Sequence, residues 1–176
     1  FFQNRERSEI LYQNVEKNLE EIFNEIKRLT NKEFSPFEFV GHKEAENVVV
    51  SIGSSCQTIE EYILNNPDKK IGMIKVRLYR PFLTQSFLSK LPNGVKTITV
   101  LDRTKENGAT APLALDVISA IAYSDKNIRI LCGRYGLGGK DFTPSDVHTI
   151  FENMIIDKPK NNFTIGINDD ITNSSL

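Results

Sequence analysis

Short runs of β-branched residues alternate along this chain with segments of helical periodicity, and this alternation limits the folds that it can adopt. The apolar runs predict five strands, at residues 48–52, 71–76, 95–101, 127–132 and 163–167. The helical patterns between them predict helices at residues 55–64, 84–91, 111–123 and 144–154. Strands joined by helical crossovers run parallel and are covered by helices on both faces. We therefore expect an α/β fold, a three-layer α/β/α sandwich around a mostly parallel sheet of about five strands.

An amphipathic helix is predicted ahead of this pattern. Between Leu11 and Leu29 apolar residues recur every three or four positions, and Glu and Lys occupy the opposite face. Residues 30–46 contain Pro36, Gly41 and several charges, which is typical of a connection into the first strand. The expected organisation is an N-terminal arm with an extra amphipathic helix, followed by the sandwich.

The charge balance and hydropathy of the chain exclude two broad classes of partner. Of 176 residues, 22 are Lys or Arg and 23 are Asp or Glu, so the net charge is -1. Binding to a nucleic-acid backbone requires a broad basic surface, which this composition does not supply. No apolar run approaches the roughly 18 residues of a membrane span. We expect no nucleic-acid partner and no membrane partner.

The residue types that usually carry metals or nucleophilic catalysis are few and scattered. The two cysteines, Cys56 and Cys132, and the two histidines, His42 and His148, show no spacing typical of a metal site. Two cysteines are too few for a disulfide framework, which favours a reducing compartment. No nucleophile and base can be paired by spacing alone. We expect no catalytic, cofactor-binding or metal-binding residue in this chain.

Ligands of parallel α/β sheets bind outside the carboxyl ends of the strands, so the loops at those ends are the candidate sites. The first loop is residues 53–56, where Ser54 or Ser55 can cap the following helix. Its free N–H groups could instead hold an anion, and the pKa of Cys56 could be lowered there. Capping is the commoner role of such serines, and no histidine lies near Cys56 in the sequence.

The loop after the third strand carries an unbroken polar run. Asp102, Arg103, Lys105 and Glu106 lie in it, ahead of Gly108. Its two cations could contact a phosphate or the carboxylates of another domain. A solvated loop is an equally good interpretation, since charged loops are often merely exposed.

Residues 133–140, after the fourth strand, contain four glycines. Gly133 and Gly136 would let backbone amides approach a ligand or a neighbouring chain, and Arg134 and Lys140 add positive charge. The order of residues fits neither the P-loop nor the dinucleotide-binding GxGxxG motif, because Asp141 stands where each motif needs another residue. The sequence therefore predicts an unusual backbone without a recognised phosphate site.

Several long stretches of the chain occur, in the same order, in a known family. They are residues 76–82 (VRLYRPF), 100–109 (VLDRTKENGA), 115–117 (LDV), 133–137 (GRYGL) and 140–144 (KDFTP), with flanking similarity at 2–6 and 163–172. In these stretches the chain closely resembles the pyruvate:ferredoxin (flavodoxin) oxidoreductases, large iron–sulfur enzymes of anaerobic 2-oxoacid metabolism.

The resemblance implies a place for this chain within a longer protein. It corresponds to the second domain of the family, which has a transketolase C-terminal-like fold with a five-stranded mixed sheet and one antiparallel edge strand. The divisions expected are an arm from the preceding domain at 1–45, the domain itself at 46–168 and a linker at 169–176. The chain opens on Phe1 rather than on methionine, which also favours a piece of a longer protein.

The resemblance also implies an activity for the whole protein. The family decarboxylates pyruvate oxidatively with coenzyme A, giving acetyl-CoA, CO2 and reduced ferredoxin or flavodoxin. It uses thiamine diphosphate, Mg and [4Fe-4S] clusters, forms homodimers, and works in the cytoplasm or in a reduced mitochondrion-like organelle. Neither the thiamine signature nor a Cys-rich run occurs in these 176 residues. The isolated chain is therefore expected to be inactive.

The residues that carry over from the family are architectural, and we expect them to contact neighbouring domains, the second subunit or an anion. These candidate contact residues are Arg80, Asp102, Arg103, Lys105, Glu106, Gly133, Arg134, Gly136 and Lys140. Two alternatives remain open at this point. One is a binding module that contacts phosphate or coenzyme A. The other is the equivalent domain of a fused relative, with an NADPH-reductase part or as the sulfite reductase flavoprotein component.

Overall fold

Six strands form one sheet in the computed structural model, which describes residues 1–167 and 173–176. The strands are β1 (Phe37–Gly41), β2 (Asn47–Ile52), β3 (Ile71–Val76), β4 (Thr97–Asp102), β5 (Arg129–Arg134) and β6 (Phe163–Thr164). Their order across the sheet is β1-β3-β2-β4-β5-β6. Strands β2 to β6 pair in parallel, and β1 pairs antiparallel with β3 at one edge. The prediction of a mostly parallel sheet is confirmed.

Six α-helices accompany the sheet in the described part of the chain. They are α1 (Phe2–Gln13), α2 (Val15–Thr30), α3 (Ser55–Leu64), α4 (Thr84–Ser89), α5 (Pro112–Ala122) and α6 (Pro144–Ile155). The last four lie close to their predicted bounds. Pro stands in the first turn of both α5 and α6, where its missing N–H costs no hydrogen bond. Thr143 and Asp146 close a capping box at the start of α6.

Two hydrophobic clusters, one on each face of the sheet, make the three layers. One cluster joins strand residues such as Val50 and Val100 to Phe87 of α4 and Val117 of α5. The other joins the opposite faces of the same strands to α3 and α6, with Ile59 and Ile150 fully buried. The three-layer α/β/α sandwich is therefore confirmed.

The structure corrects the prediction for residues 30–46, which contain the edge strand β1. This strand follows Pro36 directly, and its register pairs Phe37 with Val76 and Gly41 with Gly72. Phe37 and Phe39 alternate with Glu38, but the adjacent Pro36, Gly41 and the surrounding charges are typical of a loop and mask this short strand. The antiparallel edge agrees with the mixed sheet that the family resemblance implies. The predicted domain boundary at residue 46 thus leaves one strand of the sheet on the N-terminal side.

The single N-terminal helix predicted at residues 11–29 is also corrected. Helical backbone extends back to Phe2, and Asn14 separates α1 from α2. The Asn14 side chain donates a hydrogen bond of 3.1 Å to the carbonyl of Ile10, which competes with regular helical bonding at this position. The predicted linker at 169–176 falls partly on residues 168–172, which lie outside the described residues.

Strand β5 runs two residues further than predicted, so Gly133 and Arg134 belong to the sheet and not to the loop after it. A Cβ atom at Gly133 would lie 2.5 Å from the ring of Phe163 and 2.9 Å from the Leu101 side chain. Glycine is needed here because the Phe163 ring of β6 packs directly on the β5 backbone.

Gly133→Ala is expected to destabilise the fold, because the added methyl group displaces the buried Phe163 ring. We expect the free energy of unfolding to fall by about 1–3 kcal/mol, the range for overpacked cores. Urea unfolding followed by circular dichroism measures the change. Gly94→Ala is the control, since its Cβ would meet no atom nearer than 3.8 Å. Equal stabilities of the two variants would contradict this account of β5.

Candidate functional site

The parallel strands β2, β4 and β5 end at one side of the sheet, which we call the carboxyl edge. The three loops singled out from the sequence leave the sheet there, after Ile52, Asp102 and Arg134. Several of the predicted contact residues therefore lie near one another. Ligands of open α/β sheets bind at this kind of edge.

Asp102, the last residue of β4, holds the start of α5. Its two carboxylate oxygens accept hydrogen bonds from the backbone N–H groups of Leu113, at 3.0 Å, and Ala114, at 3.2 Å. The residue is only 6% exposed. Burial raises the pKa of Asp102 above its ordinary value, although the two N–H bonds act in the opposite direction. Both oxygens are thus occupied by the domain's own helix.

Arg103 and Tyr135 tie the loops of the carboxyl edge together. Arg103 Nε donates to the Gly136 carbonyl at 3.3 Å. The backbone N–H of Tyr135 donates to the Asp102 carbonyl at 3.2 Å, and the Tyr135 hydroxyl donates to the Ile52 carbonyl at 3.3 Å. These hydrogen bonds connect the ends of β2, β4 and β5. Sequence reasoning did not single out Tyr135, although it stands between glycines in the motif 133–137.

Arg134 is a buried strand residue that fastens β6. Its Nε donates to Thr164 Oγ1 at 2.9 Å, its Nη1 to Asn162 Oδ1 at 2.5 Å and its Nη2 to the Asn162 carbonyl at 2.8 Å. Only 7% of the residue is exposed. The guanidinium therefore acts inside the domain. No pattern in the sequence pointed to Asn162 as its partner.

Lys140 has a similar internal role, since its Nζ donates to the carbonyl of Gly166. Gly136 and Gly166 have φ values of 62° and 74°, which favour glycine. A Cβ at Gly136 would also come within 3.1 Å of Arg103 Nε. The glycine loop is shaped by these internal contacts.

A small polar cleft of about 350 Å³ opens between the start of α3 and the glycine loop. Its lining includes Ser54, Arg103, Lys140 and Asp141. It brings together the helix N-terminus, Arg103 and the glycine loop; of the two cations suggested for a phosphate contact, Arg103 and Lys105, only Arg103 lines it. The Asp141 carboxylate and the internal hydrogen bonds of Arg103 and Lys140 reduce its positive potential.

The serines at the start of α3 do not cap that helix through their side chains. Instead the Ser55 and Ser51 hydroxyl groups share a hydrogen bond of 2.7 Å. Burial raises the pKa of the Cys56 thiol to about 11, so the suggested lowering is wrong and the thiol is protonated at neutral pH.

Lys105 and Glu106 are exposed and lie away from that cleft. They line a second polar cleft, of about 640 Å³, together with Arg134 and Asn161. Glu106 accepts a hydrogen bond from the Thr104 hydroxyl at 3.1 Å. Within the described residues Lys105 makes no ion pair. These two side chains are available for an outside contact.

Arg80 lies on a separate surface, beside α5. Its guanidinium stacks 4.0 Å from the centre of the Tyr79 ring, and its Nη1 lies 2.7 Å from Asp116 Oδ2. More than half of its side chain is exposed. The structure thus does not join Arg80 to the loops of the carboxyl edge, and Asp116 is a partner that the sequence did not predict.

The remaining reactive residue types occupy ordinary structural positions. His148 Nδ1 lies 2.9 Å from the Tyr62 hydroxyl and His42 Nδ1 accepts from the N–H of Glu44. Among the residues that the structure describes, no three His, Cys, Asp or Glu side chains are grouped as a metal site would require. None of the described helices has the length and apolar character needed to cross a membrane.

Together these contacts define an α/β domain whose edge loops are held by its own hydrogen bonds. The sequence model of the pyruvate:ferredoxin oxidoreductase core domain II matches residues 45–147. The chain belongs to this family.

Curated relatives agree with this assignment over the whole chain. The pyruvate:ferredoxin oxidoreductase of Moorella thermoacetica is 45% identical, over 100% of this chain and 15% of its own length. The pyruvate-flavodoxin oxidoreductase of Nostoc is 43% identical, over 100% of this chain and 44% of the relative. This chain thus spans well under two thirds of either relative.

A solved structure gives a more distant likeness. The 2-oxoglutarate:ferredoxin oxidoreductase from Magnetococcus marinus, with 2-oxoglutarate, coenzyme A and succinyl-CoA bound, matches 70% of this chain and 20% of its own. The sequence identity is 15% and the TM-score is 0.48.

Asp102→Asn tests the role of the buried carboxylate. The amide keeps one acceptor oxygen but places its NH2 group against a backbone N–H of α5, which leaves buried donors unpaired. We expect the free energy of unfolding to fall by about 1–3 kcal/mol in urea. The exposed Asp125→Asn should leave it unchanged within about 0.5 kcal/mol. A loss of stability no larger than that of the control would show that Asp102 does not hold α5.

The raised pKa of Asp102 also predicts how stability depends on pH. In the unfolded chain the Asp102 carboxyl group has a pKa of about 4, and in the folded chain its pKa is higher. Between these two values the folded state binds more protons, so its stability falls as the pH rises. The difference in unfolding free energy between the native chain and Asp102→Asn should shrink across this window. A difference that grows with pH would show that the pKa is lowered instead.

Proposed function

We propose that this chain is core domain II of a longer pyruvate oxidoreductase. The whole protein decarboxylates pyruvate oxidatively with coenzyme A and passes the electrons to ferredoxin or flavodoxin. The match to the family over residues 45–147 supports this, as do the relatives named for pyruvate, ferredoxin and flavodoxin. The divisions at 1–45, 46–168 and 169–176 belong to the same proposal.

Within that protein the domain is architectural and does not supply catalytic groups. The observation that carries this is the internal use of the charged residues at the carboxyl edge: Asp102 caps α5, Arg134 fastens β6 and Lys140 binds the Gly166 carbonyl. A group held by several internal hydrogen bonds would lose them on turning to a substrate. The exposed side chains of Lys105 and Glu106 are available to neighbouring domains or a second subunit, as is the exposed part of Arg80 beyond its ion pair with Asp116.

The cofactors of the proposed enzyme are thiamine diphosphate, Mg and [4Fe-4S] clusters. The cysteines of this chain do not fit a cluster, because a [4Fe-4S] centre takes four thiolates and the chain has only Cys56 and Cys132. The clusters therefore belong to other domains of the proposed polypeptide, and the family resemblance assigns thiamine diphosphate and Mg to other domains as well. Both thiols are free, which supports a cytoplasmic or otherwise reduced compartment.

An anion-binding module, for phosphate or coenzyme A, is less well supported by the geometry. The cleft beside α3 has the helix N-terminus and Arg103, but Asp141 lines it and Lys140 is used internally. Titration of coenzyme A and thiamine diphosphate into the chain by calorimetry distinguishes the two functions. The architectural role predicts no heat at millimolar ligand, whereas binding that is lost in Arg103→Ala would favour the module.

Activity of the purified 176-residue chain tests the architectural role. The chain is mixed with pyruvate, coenzyme A, thiamine diphosphate and an electron acceptor, and acceptor reduction is followed. We expect a rate equal to that without protein, while circular dichroism and cooperative unfolding show that the chain is folded. Turnover by the folded chain would overturn the proposal. The longer protein that contains the chain is the positive control.

A further inference from the structure

The chain contains two Asn-Gly steps, one ahead of β4 at Asn93 and one after it at Asn107. In such a step the glycine nitrogen can attack the carbonyl carbon of the Asn side chain, because glycine has no side chain that obstructs the approach. The reaction needs an exposed Asn and a backbone that is free to rotate. Both steps lie at the surface, but the rest of the protein restrains them to different degrees.

The turn at Asn93 is fixed on both sides by the core. The Val95 N–H donates to the Pro92 carbonyl at 3.4 Å, which closes a tight turn across Asn93 and Gly94. Leu91 just before the turn and Val95 at its end are 6% and 8% exposed. The backbone of this turn therefore cannot rotate without moving buried side chains.

The turn at Asn107 lies in the middle of a loop, where the core does not hold it. The Ala109 N–H donates to the Glu106 carbonyl at 3.3 Å. All residues from 105 to 109 are exposed. A Cβ atom at Gly108 would meet no atom within 4 Å. The backbone around Asn107 thus has room to change its conformation.

The two groups that would react at Asn107 are not engaged elsewhere. Neither the Asn107 side chain nor the Gly108 N–H makes a hydrogen bond with any residue that the structure describes. The Gly108 nitrogen can therefore lose its proton to hydroxide without breaking a bond that holds the fold. The Asn107 side chain can likewise turn toward the backbone without leaving a partner unpaired.

We propose that Asn107 is a site of spontaneous deamidation in the native protein. The deprotonated Gly108 nitrogen attacks Cγ of Asn107, and the new N–Cγ bond closes a succinimide ring. The Cγ–NH2 bond breaks, and the leaving nitrogen takes a proton from water and departs as ammonia. Water then opens the ring at one of its two carbonyl carbons, which leaves either aspartate or a β-linked isoaspartate. One water is consumed, one ammonia is released, and no oxidant or reductant takes part.

The new carboxylate changes the charge beside the polar cleft of about 640 Å³. Lys105, Glu106 and Gly108 line that cleft, and Lys105 makes no ion pair within the described residues. Residues 103–108 hold two cations and one acid, so their net charge falls from +1 to 0 on deamidation. A carboxylate at residue 107 gives Lys105 a counter-ion within the loop, which weakens its contact with an outside anion.

Peptide mapping of the native protein that contains the chain tests the proposal. The folded protein is kept in mildly alkaline buffer and digested with trypsin at intervals, and a sample digested at once gives the background. The peptides 91–96 and 106–126 each contain a single Asn. Mass spectrometry detects the replacement of NH2 by OH, and chromatography separates the aspartate and isoaspartate forms. We expect conversion at Asn107 to be about tenfold faster than at Asn93, whose turn must first give up its backbone restraint.

Three controls separate the structure from the intrinsic chemistry. In guanidinium chloride the two peptides should convert at similar rates, because Gly follows Asn in both. Asn107→Gln keeps the amide but needs a larger ring, and it should abolish the conversion in peptide 106–126. Asn93→Gln should leave conversion at Asn107 unchanged.

Equal rates at Asn93 and Asn107 in the folded native protein would overturn the proposal. So would an Asn107 that stays intact in the folded native protein and converts only in guanidinium chloride, since the loop is then covered. The inference does not depend on the proposed function. A native protein that oxidises pyruvate but keeps Asn107 intact would refute this inference alone. A native protein that converts Asn107 but does not oxidise pyruvate would refute the proposed activity alone.

Discussion

The buried carboxylate of Asp102 is the interaction on which the carboxyl edge depends. Its side chain satisfies two N–H groups at the start of α5, and its backbone carbonyl accepts the N–H of Tyr135. One residue therefore fixes a helix, the loop between β4 and that helix, and the start of the glycine loop. The positive end of the helix dipole offsets part of the cost of burying the charge.

Two cations, Arg134 and Lys140, hold a short last strand in place. Strand β6 has two residues, too few to hold its place by ladder hydrogen bonds alone. Arg134 binds Thr164 and Asn162 on one side of it, and Lys140 binds the Gly166 carbonyl beyond it. Arg134 and Lys140, which the sequence suggests as contacts for a ligand or another domain, thus hold the last strand in the sheet. The planar guanidinium presents several N–H donors, which makes Arg suited to anions. In Arg134 these donors bind Thr164 and Asn162 of the same domain instead.

The strands and helices with a repeated apolar pattern were predictable from the sequence, and the hydrogen-bond partners of individual side chains were not. The parallel strands follow from runs of β-branched residues, because a strand buried on both faces needs apolar side chains throughout. Strand β1 is flanked by Pro36 and charged residues that are typical of a loop, and the break at Asn14 depends on one side chain, so the apolar pattern alone does not reveal either. The apolar run ends at Cys132, so the sequence predicts Arg134 in a loop, whereas β5 extends to it. Its partners lie about 30 residues away in the sequence, beyond any local pattern.

The domain has two kinds of surface, and they have different energetic roles. At the carboxyl edge most polar groups already have partners inside the domain, so contacts there gain little new hydrogen bonding. Around α1 and α2 several apolar side chains remain exposed, whereas Glu25 pairs with Arg28. Burial of those apolar side chains by another structure would gain free energy, so the two surfaces differ in what a contact could add.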